Sequence, residues 1–139
     1  MILEKDNIFI NEASVAKEEI IKRIGRIFAE KGYTNEHYGT AMLEKEKVFN
    51  TYIGNGVAIP HGIESAKDDI LKTGLVLMTF KEGIDWGAED KAKVVIGIAA
   101  RGTEHIDVLS KIAIFFSEKE NTEKILAMSK DEISILFED

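Results

Sequence analysis

The chain has 139 residues, 45% hydrophobic and 31% charged, which is enough for one ordinary domain (residues 1–139) with a real core and too little for two. A formal net charge of -7 argues against a nucleic-acid partner, because phosphate binding draws on Lys and Arg. With no cysteine there is neither a disulfide framework nor thiolate chemistry. The start "MILEKDNIFI" has no secretion-signal pattern, and no apolar run reaches spanning length, so no direct membrane insertion and a cytoplasmic location are expected.

A short apolar stretch at Ile8 to Ile10 comes first. It is followed by "SVAKEEIIKRIGRIFAEKGY", where Ile20, Ile21, Ile24, Ile27 and Phe28 recur at helical spacing, with Ser14 as the expected N-cap and Gly32 as the stop. A second helix is expected from Asn35 to Phe49, capped by Thr34 and burying Tyr38, Ala41, Met42, Val48 and Phe49. The runs "VAI" before Pro60, "GLVLMTF" (Gly74 to Phe80) and "VVIGIAA" (Val94 to Ala100) read as strands, and "FKEGIDWG" as a turn or hairpin between two of them. "TEHIDVLSKIAIFF" reads as an apolar helix opening at Thr103. Two amphipathic segments close the chain, the last starting with Ser129 and Glu132 spaced as a capping box. Interleaved helices and strands give an α/β fold, a mixed β-sheet flanked by helices on both faces.

In such folds ligands gather at the carboxyl ends of strands, where loops and helix N-termini expose backbone N–H groups. Two of the three histidines fall at such places. His61 follows "GVAI" and the only proline, Pro60, which fixes its own φ, holds Ile59 extended and presents the next side chain in a set direction. Gly62 lets the backbone turn sharply or approach a ligand. His105 lies in the first turn of its helix, in phase with Leu109, Ile112, Ala113 and Phe116 and therefore inward, where a helix N-terminus favours a neutral ring. Lys45 falls near the middle of the second helix's apolar stripe at about 100° per residue, with Glu44, Glu46 and Lys47 further out, while His37 lies off the stripe and is assigned no role.

Each feature also has a plainer reading. Pro-His-Gly serves as a simple turn, His105 as a hydrogen-bonded core residue and Lys45 as a snorkelling side chain. Taken together, two inward histidines, a lysine and two clusters of amides suit an anion site with a nucleophile, and phosphate fits best. No HExxH or paired-carboxylate spacing points to a metal, Glu104 and Asp107 read as surface acids, and no GxSxG elbow points to a serine hydrolase.

The segments "TYIGNGVAIPHG" (Thr51 to Gly62) and "VVIGIAARGTEHIDVLSKIA" (Val94 to Ala113) resemble the two signatures of mannitol/fructose-type enzyme IIA of the bacterial phosphoenolpyruvate-dependent sugar phosphotransferase system, the mannitol branch most closely. The similarity runs through "AMLEKEKVFN" and "AKDDILKTGLVLMTFKEGIDWG" as well. The resemblance implies that His61 accepts a phosphoryl group from phospho-HPr and passes it to a cysteine of a cognate enzyme IIB, without metal or cofactor. It implies that His105 supports that group and that Lys45 stands where the family has an active-site arginine, keeping the charge without the planar fork. The same likeness leaves a regulatory, nitrogen-type enzyme IIA as the alternative, against which "GIAARGTEH" weighs. A different class again is an anion-binding or hydrolytic protein that uses the same histidines with bound phosphate.

Overall fold

The computed structural model describes residues 3–138. Five strands, β1 (Ile8–Phe9), β2 (Tyr52–Gly54), β3 (Val57–Ala58), β4 (Gly74–Ile84) and β5 (Ala92–Ala99), form one sheet in the order β1-β4-β5-β3-β2. The β1/β4 and β3/β5 pairs are parallel, and β4/β5 and β2/β3 antiparallel, so the sheet is mixed as expected. Two helices, α1 (Lys17–Glu30) and α2 (Tyr38–Val48), belong to one face. Three more, α3 (Thr103–Phe115), α4 (Lys119–Leu126) and α5 (Lys130–Leu136), belong to the other. A 3₁₀ turn, Glu64–Asp69, follows β3.

The two cores follow from the period of two along β4 and β5. Val76, Met78, Phe80 and Val95 meet Ile20, Ile24, Phe28 and Met42 on one side. Leu75, Leu77, Ile96 and Ile98 meet Val108, Ile112, Ile125 and Ile133 on the other. Burial on both faces explains why "VVIGIAA" does not alternate. Gly97 is needed for contact: a Cβ there would lie 2.4 Å from Ile24 Cγ2, so α1 could not seat on the sheet.

Several local expectations are corrected by contacts from distant residues. Ser14 does not cap α1; its hydroxyl donates to Gly83 O at 2.7 Å, and the cap position falls to Ala16. The second helix begins at Tyr38 instead of Asn35. Thr34 bridges Ile70 and Asn35 N donates to Asp69 O, which holds that stretch outside the helix, while Thr34's hydroxyl donates to Asn35 O. At its other end α2 stops before Phe49, whose φ of -152° is extended, so Val48 (79% exposed) and Phe49 (62%) leave the buried stripe. In "FKEGIDWG" the first five residues continue β4; its ladder with β5 is irregular after Thr79 and resumes at Ile84 opposite Ala92. Gly32, at φ 77°, stands just past the end of α1 as expected, and the Ser129/Glu132 capping box forms.

Candidate active site

His61 and His105 come from the carboxyl ends of two neighbouring parallel strands. Beyond β3 the chain keeps running beside β5: Ile98 N donates to Pro60 O at 3.0 Å, and His61 bridges Ile98 in parallel register. Pro60 is buried and continues this extended path to the site, so the rigidity expected of it appears as a prolonged strand path. At the end of β5, Gly102 adopts φ 66° to turn the backbone into α3, placing His105 in the first helical turn. The two imidazole rings stand 5.3 Å apart between centroids, tilted by 60°.

Each ring is oriented by a main-chain carbonyl. His61 Nδ1 lies 2.7 Å from Ile59 O, and His105 Nδ1 lies 3.2 Å from Ala100 O. A carbonyl only accepts, so both neutral rings carry their proton on Nδ1 and keep the Nε2 lone pair free. Burial pushes the pKa of His61 below the usual histidine value; the bond to Ile59 O opposes this, the charges of His105 and Lys45 add to it, and Glu46 opposes it. His61 is therefore a neutral imidazole near pH 7 with Nε2 as its nucleophilic atom.

Tyr38 braces the loop behind His61. Its hydroxyl donates to Ile98 O at 2.8 Å and accepts from Gly62 N at 2.9 Å, joining the start of α2 to both strand ends. The residue is 2% exposed, and burial pushes its pKa up to about 12, so it is a permanent hydrogen-bond donor at working pH. Gly62 is required by this brace: a Cβ would fall 2.5 Å from Tyr38 Cε1. Of the two readings for Gly62, a sharp turn or a close approach to a ligand, the structure shows a close approach, made to a tyrosine. Sequence reasoning placed Tyr38 only among apolar stripe residues, although a buried tyrosine hydroxyl regularly finds a partner.

Lys45 stands in the last turn of α2. It is half-buried, its Nζ lies 4.9 Å from the centre of the Phe49 ring, and its charge is among those acting on His61. The neighbouring Glu46 was expected to face outward, but its side chain is 5% exposed. It accepts from Thr51 N (2.9 Å), Thr51 Oγ1 (2.6 Å), Trp86 Nε1 (3.1 Å) and Lys17 Nζ (3.4 Å). Two of these three partners, Lys17 and Trp86, come from segments remote in sequence, so helical phase alone carries no sign of this burial.

The remaining candidates lie outside the histidine pair. His37 is exposed and pairs with Asp69 at 2.8 Å, and this hydrogen bond, then the charge, raises its pKa. Glu104 is exposed and accepts from Thr73 Oγ1 at 2.5 Å, and Asp107 is exposed as well. Beside His105 opens a cleft of about 330 Å³. Ile63 and Ile106 line it together with Glu64, Lys67 and Arg101, so its wall is apolar with charges of both signs.

Comparison with known proteins agrees along the full length. The family described as "Phosphoenolpyruvate-dependent sugar phosphotransferase system, EIIA 2" matches residues 1–139. The mannitol-specific phosphotransferase enzyme IIA component of Halalkalibacterium halodurans is 43% identical over 136 residues, covering 98% of this chain and 93% of that protein. The protein of the same name from Bacillus subtilis is 42% identical over 137 residues, covering 98% and 96%. The crystal structure of IIA mannitol from Escherichia coli superposes with a TM-score of 0.88 at 38% identity, covering 98% of this chain and 99% of that one. An Escherichia coli enzyme IIA solved in complex with phosphorylated enzyme IIB of the mannitol system gives 0.89 at 38% identity, covering 96% and 95%. With two signature segments meeting at one pair of histidines and a family match from end to end, this chain belongs to the enzyme IIA family of the phosphoenolpyruvate-dependent sugar phosphotransferase system.

Proposed function

We propose that this chain is a phosphocarrier that takes a phosphoryl group from phospho-HPr onto Nε2 of His61 and hands it to a cysteine of a cognate enzyme IIB, serving uptake of mannitol or a related sugar from the cytoplasmic side. The observation that carries the reading is the Nδ1 bond of His61 to Ile59 O at 2.7 Å, which leaves a neutral, oriented Nε2 next to a second imidazole. Support also comes from relatives named as mannitol-specific and from the Escherichia coli enzyme IIA solved with phosphorylated IIB.

Phosphoryl transfer runs through a loose, in-line transition state, so alignment and charge stabilisation supply most of the catalysis. In the first half-reaction the His61 Nε2 lone pair forms a P–N bond as the P–N bond to the donor histidine breaks, and that bonding pair stays on the donor's nitrogen. In the second, an IIB thiolate attacks the phosphorus and the electron pair returns to His61 Nε2. Neither step moves a proton at His61, because Nδ1–H stays on Ile59 O throughout. Lys45 supplies positive charge for the three phosphoryl oxygens. His105, with Nδ1–H committed to Ala100 O, donates to such an oxygen from Nε2 only when its ring carries a second proton. Pro60, Gly62 and Tyr38 hold the loop that aims His61.

Incubation with labelled phosphoenolpyruvate, enzyme I and HPr tests the reading. Label on His61 that moves to an IIB cysteine is the expected result. Label that stops on this chain indicates the regulatory, nitrogen-type role, and no label indicates an anion-binding or hydrolytic protein.

A further inference from the structure

Glu46 is a buried carboxylate that the transfer chemistry does not use. Its two oxygens gather donors from α1 (Lys17), the residue before β2 (Thr51) and the loop after β4 (Trp86), and Asn50 Nδ2 adds a bond to Trp86 O at 2.7 Å. Lys17 Nζ also donates to Trp86 O at 3.0 Å. A buried carboxylate that accepts one bond at Oε1 and three at Oε2 holds its segment strongly, because breaking any of them leaves a charge or a donor unsatisfied. That segment is the last turn of α2, which carries Lys45, and Phe49 N closes the turn on Lys45 O at 2.8 Å. Lys45 itself has an aromatic face under its ammonium, which steadies it weakly at a half-exposed position. The charges acting on His61 come from α3 (His105) and from this same turn (Lys45, Glu46).

We infer that Glu46 is a positioning residue for phosphoryl transfer: bonded to Lys17, Thr51 and Trp86, it fixes the last turn of α2 so that Lys45 stays presented to the His61 site. This rests on the function proposed above. Glu46→Gln isolates the effect, since an amide oxygen can replace Oε2 while the amide N–H₂ donates to the Thr51 hydroxyl, keeping the shape and losing the charge. Trp86, the only tryptophan and fully buried, reports whether the network's core survives through its emission.

The experiment measures phosphoryl transfer from phospho-HPr in the wild type, Glu46→Gln, Thr51→Val, Lys45→Ala and the two doubles with Lys45→Ala. Glu46→Gln is expected to slow transfer about fivefold, and Thr51→Val about twofold, with no red shift of Trp86 emission to the solvent-exposed position. Neither is expected to slow the Lys45→Ala protein further, because residues acting through one another are not additive. The acid limb of the pH–rate profile in Glu46→Gln should also move to lower pH, since Glu46 favours the protonated ring of His61. A wild type that takes no label overturns the proposed function and this inference with it. A labelled wild type with full-rate Glu46→Gln, or with effects that multiply in the doubles, overturns this inference alone. If Glu46→Gln does not fold, Thr51→Val, which keeps the carboxylate, decides by the same criteria.

Discussion

The two sides of the site are held by different means. On the histidine side each ring is fixed by a carbonyl two or five residues away in its own segment, at the mouth of two strands locked into the sheet. On the lysine side the charge sits at a helix end whose order depends on a side-chain network joining α1, Thr51 just before β2, and the loop after β4. Backbone-built orientation costs little extra order, whereas the side-chain assembly depends on every member keeping its partner. The histidine side should therefore govern whether transfer occurs, and the lysine side how fast.

The contrast is broken most sharply at His61. His61→Ala is expected to abolish stable labelling while leaving the fold intact by circular dichroism; residual labelling at the wild-type level would move the nucleophile elsewhere. His105→Ala should slow transfer by about 10²-fold without abolishing it, the loss expected for a group that acts as a pre-oriented donor to a developing charge when its ring is doubly protonated. Lys45→Ala should slow transfer about tenfold with unchanged thermal stability, and Lys45→Arg should recover most of it. Equal losses at positions 105 and 45 would erase the distinction between the two sides.

The brace behind His61 gives smaller effects on activity and clearer ones on stability. Tyr38→Phe leaves Ile98 O and Gly62 N without their hydroxyl partner and should cost about 1–3 kcal/mol in a denaturant titration. Gly62→Ala should cost about 1–3 kcal/mol by forcing the Tyr38 ring aside. Smallest is the pH effect. The folded chain resists protonation of His61, so the unfolded chain binds more protons as pH falls through the ordinary histidine range; stability is full above that range and declines as pH drops through the lowered folded value. Transfer should decline on the same limb, as the nucleophile is lost, with a midpoint below that of a free histidine.

The same division governs what the sequence made legible. Strands at "VVIGIAA" and "GLVLMTF", the mixed sheet, and histidines 61 and 105 at strand ends were readable because period, turn chemistry and position act locally. The histidines' place in one site follows from helical phase and strand-end position, and the resemblance then gives each its role. Glu46 was read as surface because helical phase knows nothing of Trp86 Nε1, which lies 40 residues away. Ser14, Thr34 and Phe49 were misplaced for a similar reason: Gly83, Ile70 and Asp69 claim the first two segments, and the helix ends before the third. The steric need for glycine at position 62 comes from the ring of Tyr38, which arrives from another element.

The nitrogen that carries the phosphoryl group tests the central claim most directly. ¹⁵N-labelled protein phosphorylated through HPr and examined by NMR should show the phosphorus bonded to Nε2 of His61, with Nδ1 still protonated. Phosphorus on Nδ1 of His61, or on His105, would contradict the account.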